Sequence, residues 1–171
     1  MTTLVLTIVG EDRPGLVAEL SAVLREAGAS WERSEMARLA GQFAGIVEVT
    51  LPADRIATLE AGWDQLRAAG LQVVVTGTSP PPVAAGTRRR LELVGTDRPG
   101  IVAEISALLA RHRVSIEELS TEVREAPMAG GTLFEARALL AVPDGLAEDA
   151  LRASLEALAD ELVVELSLAD G

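Results

Sequence analysis

The residues of this 171-residue chain best placed to do chemistry stand in two near-identical stretches, VGEDRPGLVAELSAVL from Val9 and VGTDRPGIVAEISALL from Val94. In each, an apolar run ends at a glycine (Gly10, Gly95) and passes through Asp-Arg-Pro-Gly into a helical pattern. The first N–H groups of a helix lack intrahelical partners, and the helix dipole favours negative charge beside them. The amides of Gly15 and Leu16, or of Gly100 and Ile101, can therefore face a carboxylate, while Asp12 or Asp97 can meet an ammonium group. Arg13 and Arg98 can hold a carboxylate in a two-pronged contact. The same residues also have structural uses. Asp two residues before a helix-starting Pro can cap the helix, the glycines serve the tight turn, and the arginines can stay solvated or pair with Glu11 and nearby acids. Glu11 in one copy corresponds to Thr96 in the other, so two such sites would differ in charge.

Groups for catalysis are scarce. There is no cysteine and no tyrosine, and His112 is the one histidine, which removes thiolate nucleophiles, disulfides and most acid–base chemistry near neutral pH. No nucleophile–base pair, metal set or phosphate-binding loop is readable, so the expectation is a non-enzyme without a cofactor. His112, at a helix end without metal-binding companions, reads as a surface or helix-terminus residue. Arg88-Arg89-Arg90 lacks interleaved aromatics and reads as a solvated strand edge, and Trp31 as a packing or interface residue. The formal charge of −11 disfavours direct nucleic-acid binding, which draws on cationic contacts to phosphates. The apolar runs, such as Leu71–Val75, are too short to cross a bilayer, and the opening residues lack the marks of a secretory signal, so a cytoplasmic location is the default expectation.

The two stretches align without a gap at an offset of 85 residues, and the match continues to Ser30/Ser115 and Glu32/Glu117. The chain is a duplication, read as domain 1 over 1–77, a Pro-rich linker over 78–87 and domain 2 over 88–171. Each copy reads as β-α-β-β-α-β. Leu4, Leu6 and Ile8 form a strand ended by Gly10. Pro14 suits the first helical turn, and Leu16, Val17, Leu20, Val23, Leu24 and Ala27 recur at helical spacing until Gly28. A hairpin turns at Ala40-Gly41, and a second helix carries Ile56, Leu59, Trp63 and Leu66 before Gly70 closes it. The second copy repeats this with a longer hairpin loop around APMAGGT and a helix carrying Leu151, Leu155, Leu158 and Leu162. Right-handed crossovers place both helices of each copy on one face of an antiparallel sheet, an α+β ferredoxin-like fold. The bare face and sheet edges then call for domain or subunit packing, and a homodimer is expected.

The strand-Gly, Asp-Arg-Pro-Gly and Val-Ala-Glu signature, present in both copies, resembles the ACT domain, a small regulatory module. Two such domains with no enzyme attached, and a long second hairpin, are similar to the glycine cleavage system transcriptional repressor family. The resemblance implies sensing of a small amino acid, glycine or serine among the candidates, held at domain interfaces by Gly10, Glu11, Asp12, Arg13, Pro14, Gly15 and Leu16 and by Gly95, Thr96, Asp97, Arg98, Pro99, Gly100 and Ile101. In such a pairing Trp31–Ser34 and Ile116–Leu119 would lie across from the turn of a neighbouring domain. The resemblance also implies control of a protein partner in transcriptional or metabolic regulation of amino-acid metabolism. The alternative is a protein-interaction or dimerisation module without a metabolite.

Overall fold

Alternating apolar residues make each strand a divider between a buried and an open face, and the helices supply the cover. The computed structural model describes residues 1–77, 86–126 and 130–171 and divides the chain into two units, Met1–Pro81 and Pro82–Gly171. The first unit runs β1 (Thr2–Glu11), α1 (Leu16–Glu26), β2 (Ser30–Leu39), β3 (Gln42–Leu51), α2 (Ile56–Ala68) and β4 (Leu71–Gly77). The second runs β5 (Gly86–Thr96), α3 (Ile101–Arg111), β6 (Ser115–Glu125), β7 (Thr132–Pro143), α4 (Glu148–Leu162) and β8 (Val164–Asp170). The sheets have the strand orders β2-β3-β1-β4 and β6-β7-β5-β8, antiparallel throughout. This is the ferredoxin-like arrangement in both units.

Each unit has its own core. Leu6, Ile8, Leu20, Leu24, Val47 and Leu66 are among those that close the first, and Leu93, Ile105, Leu109, Leu140, Leu151 and Leu155 among those that close the second. Both α1 and α3 end with the chain reversing through a left-handed residue, Gly28 (φ 68°) in one and Arg113 (φ 57°) in the other. There the amides of Ala29 and Val114 donate to Leu24 O and Leu109 O at 2.9 Å, satisfying last-turn carbonyls. Ala40 and Gly41 both have positive φ, as a two-residue hairpin turn requires.

Three expectations shift. The helix begins at Leu16 and not at Pro14, because Gly15 adopts φ 98° and breaks helical continuity before it. Pro99 and Gly100 (φ 99°) repeat this before Ile101. The connector read over 78–87 falls at 78–85 outside the described residues, and Gly86 and Thr87 already belong to β5, paired with Pro143 and Val142. Of the long hairpin loop, 127–129 lies outside the described residues; around it the Ala126 amide donates to Gly131 O at 3.0 Å. Arg88–Arg90 are not a sheet edge: they lie in β5, between β7 and β8. Arg89 is held by Glu148 at 2.6 Å and Asp170 at 2.9 Å, and Arg88 by Glu117 at 2.8 Å.

Gly10 is fixed by a close approach. A Cβ there would lie 2.6 Å from the backbone oxygen of Gly70. Gly10→Ala is therefore expected to destabilise the protein by about 1–3 kcal/mol, the usual range for overpacking, in equilibrium urea unfolding. Gly77→Ala, where nothing lies within 4 Å, should leave stability unchanged or slightly raised.

Candidate functional site

The two strand-to-helix turns are built alike in backbone and differently in side chains. The amides of Asp12 and Asp97 donate to Gly41 O and Thr132 O, both at 2.9 Å, which ties each turn to the adjacent hairpin. Gly15 O and Gly100 O then accept the amides of Glu19 and Glu104 at 2.9 Å. Neither helix carries a side-chain cap, so the capping role open to Asp12 and Asp97 is not taken up. Above Gly15 the space is open, with only the Glu19 Oε1 at 3.9 Å from a notional Cβ. The amides of Gly15 and Leu16, and of Gly100 and Ile101, stand at the positive ends of α1 and α3, where Pro-Gly forms a tight turn into each helix.

In the first unit the arginine is committed. Arg13 lays both guanidinium nitrogens on Glu19, at 2.8 and 2.7 Å, and also donates to Ala69 O at 2.6 Å, at the end of α2. Its partner is therefore Glu19, one turn into the helix, and not Glu11. The hydrogen bond from Arg13 holds the Glu19 carboxyl below the usual carboxylate range, and Glu19 in turn raises the Arg13 guanidinium. Asp12 stands 3.5 Å from Arg38 at the end of β2.

The second unit repeats the frame with looser contacts. A single nitrogen of Arg98 approaches Glu104, at 3.3 and 3.4 Å, and makes no bond to the end of α4. Asp97 is exposed and has no side-chain partner among the described residues. Thr96 replaces Glu11, removing a further negative charge. The turn of the second unit therefore offers a helix N-terminus, an unpaired carboxylate and a lightly held guanidinium within five consecutive residues, Asp97–Ile101.

Glu19 and Glu104 are the participants that motif reading assigned no role. Their signal is the spacing itself: six residues after an arginine that precedes a helix, a glutamate returns to the first turn. Pro14 and Pro99 shape the turn without touching it chemically, and Gly10 and Gly95 are required by packing. His112 meets Ser154 at 3.1 Å, joining α3 to α4, and Trp31 packs partly buried against the first core.

Family models described as ACT domain match residues 2–76 and 89–159. The chain is similar to a protein of unknown function from Galdieria sulphuraria, at 32% identity over 99% of this chain and 98% of that one, with a TM-score of 0.87. A crystal structure of a protein provisionally assigned as a glycine cleavage system transcriptional repressor shares the fold, at 22% identity over 98% of this chain and 95% of that one, TM-score 0.70. A UPF0237 protein of Methanopyrus kandleri is 51% identical over 37 residues, 22% of this chain and 41% of that relative's length.

The Arg13–Glu19 pair sets an acid limb of stability. Because the folded state lowers the Glu19 value, its contribution is complete above the unfolded value, ordinarily near pH 4.5, and is lost as pH falls through the lowered one. Glu148, lowered by its hydrogen bond from Arg89, acts in the same direction. In Arg13→Gln the Glu19 carboxyl should titrate nearer its ordinary range by NMR, and the fall in stability below pH 4.5 should become shallower than in the wild type. An unchanged Glu19 titration would contradict the pairing.

Proposed function

Since this chain belongs to the ACT-domain family, with one such domain in each unit, we propose that it is a non-catalytic regulatory protein. In this reading it binds a free amino acid at a strand-to-helix turn and alters the behaviour of a protein partner. The observation that carries the reading is the uncapped N-terminus of α3, where the Gly100 and Ile101 amides stand beside an unpaired Asp97 and a loosely held Arg98. An α-carboxylate suits the amides and Arg98, and an α-ammonium suits Asp97. The second turn is the principal site; the first turn, with Arg13 already bound to Glu19 and Ala69 O, is chiefly structural. Glycine and serine are the first ligands to test, given the fold shared with a protein assigned as a glycine cleavage repressor. Control of amino-acid metabolism through transcription or through an enzyme partner fits the acidic charge, which favours protein contacts over direct contact with nucleic acid.

A homodimer is part of the same reading. The sheet face of the first unit that carries no helix exposes Val9, Ile46 and Val74 at 39%, 54% and 62%, a surface suited to burial against another sheet. It also supports the second reading, a dimerisation module that binds no metabolite.

Thermal unfolding against an amino-acid panel separates the two. A ligand at about 100 times its Kd adds roughly 2.7 kcal/mol of stability, which moves Tm by several degrees in a chain of this size. The expected result is a selective shift that disappears in Asp97→Ala and survives in Asp12→Ala. No shift with any amino acid would favour the dimerisation module, and loss in Asp12→Ala alone would move the site to the first turn.

A further inference from the structure

The duplication gives every position of one sheet a counterpart in the other, and the sheet faces that carry no helix differ sharply. Across the middle of that face in the first unit run Ile46, Thr7 and Val74, paired through β3, β1 and β4. The same register in the second unit carries Arg137, Glu92 and Ser167. One row to either side, Val5 becomes Arg90 and Ala44 becomes Glu135. The backbone is the same in both copies, and only the outward side chains have changed character.

The face of the second unit is suited to water. Its charges pair with one another across the strands, Arg137 with Glu92 at 3.9 Å and Arg124 with Glu135, and burying such a network against a partner would strip it of solvent. On the first unit the centre is uncharged, with Ile46 and Val74 more than half exposed. The charges gather to one side, where Arg33 and Glu35 of β2 pair with Glu48 and Ile46. A contiguous apolar surface with a charged margin is the pattern of a covered face.

We propose that a second copy of the same face covers it, so that the chain dimerises sheet to sheet through its first units while the helix-free face of the second unit stays in water. The inference rests on the homodimer reading and deepens it by naming the surface. Two chains of formal charge −11 repel each other, and this face is where charge is scarce. Sheets pack face to face with their strands nearly aligned. A two-fold axis along the strands then lays the charged β2 of one copy over the uncharged outward residues of β4, Gln72, Val74 and Thr76, on the other, so that like charges do not meet. Four strands about 4.8 Å apart, each rising about 3.4 Å per residue over the span of Thr3–Glu11, give a face of roughly 500 Å². That lies near the lower limit for specific interfaces, about 600 Å² per partner, and fits a reversible dimer.

The test is sedimentation equilibrium of the full chain over a concentration series, at low and high salt. Thr7→Glu and Ile46→Arg each copy the residue that the second unit carries at the same outward position, so the fold accommodates both; Arg137→Ile is the reciprocal change. The expected result is a wild-type dimer that tightens as salt screens the acidic charge. Its association should weaken at least tenfold in whichever of Thr7→Glu and Ile46→Arg keep the wild-type circular dichroism, and persist in Arg137→Ile. A dimer indifferent to Thr7→Glu and Ile46→Arg, or one that salt or Arg137→Ile weakens, would overturn the proposed face while leaving the homodimer reading intact. A wild-type chain monomeric throughout the series would overturn both.

Discussion

The first unit is organised around a place where two backbones come closer than a side chain allows. Gly10, the last inward-facing residue of β1, lies against the Gly70 carbonyl, and a single added carbon would sit 2.6 Å from it. That approach seats β4 beside β1 and brings the end of α2 next to the start of α1. Arg13 can then reach both Glu19 and Ala69 O, so that a turn, two helix ends and an edge strand meet in one cluster. The glycine is a packing requirement first; the chemistry of the turn stands on the geometry it permits.

The second unit keeps the constraint and changes what is built on it. Gly95 is as tightly placed as Gly10, but its neighbour is the Val164 side chain. Val163 takes the left-handed conformation that Gly70 takes in the first copy. A β-branched residue there carries strain that glycine avoids, and the core must hold it. The guanidinium that locks the first turn finds no carbonyl at the end of α4, and Asp97 finds no counterpart to Arg38. Duplication has thus preserved backbone and core while the polar dressing of the two turns has diverged, one closed on itself and one open.

Local pattern made much of the fold legible. Leu16, Leu20 and Leu24 mark a buried helical stripe, Ala40-Gly41 a two-residue turn, and the gapless repeat a second copy. What escaped depends on distance along the chain or on a single dihedral. Pro14 suits a first helical turn by its chemistry, but the positive φ of Gly15 moves the helix start beyond it. Arg13 reaches Ala69, 56 residues away, which no spacing announces. Arg88–Arg90 resemble a solvated basic run until the sheet order puts them in β5, between β7 and β8, with Arg88 and Arg89 held by acids from other elements. The strand wall of the second unit is the plainest case. Ile116, Thr121 and Ala138 are unremarkable residues singly, and only the strand register shows that they occupy the positions of Trp31, Met36 and Val47 on one wall.

The difference between the turns bears on which could act as a sensor. A ligand carboxylate arriving at α1 must compete with Glu19 for Arg13 and undo a two-pronged pair that also secures the end of α2, so binding would oppose folding. At α3 the competitor is a contact longer than 3 Å made through one guanidinium nitrogen, with no further bond to a helix end. A ligand there gains the interaction with Arg98 and the helix end at small structural cost. Affinity for a ligand is reduced by whatever the protein must give up to bind it. The copy that contributes less to holding its own fold together is therefore the one with free energy left for recognition.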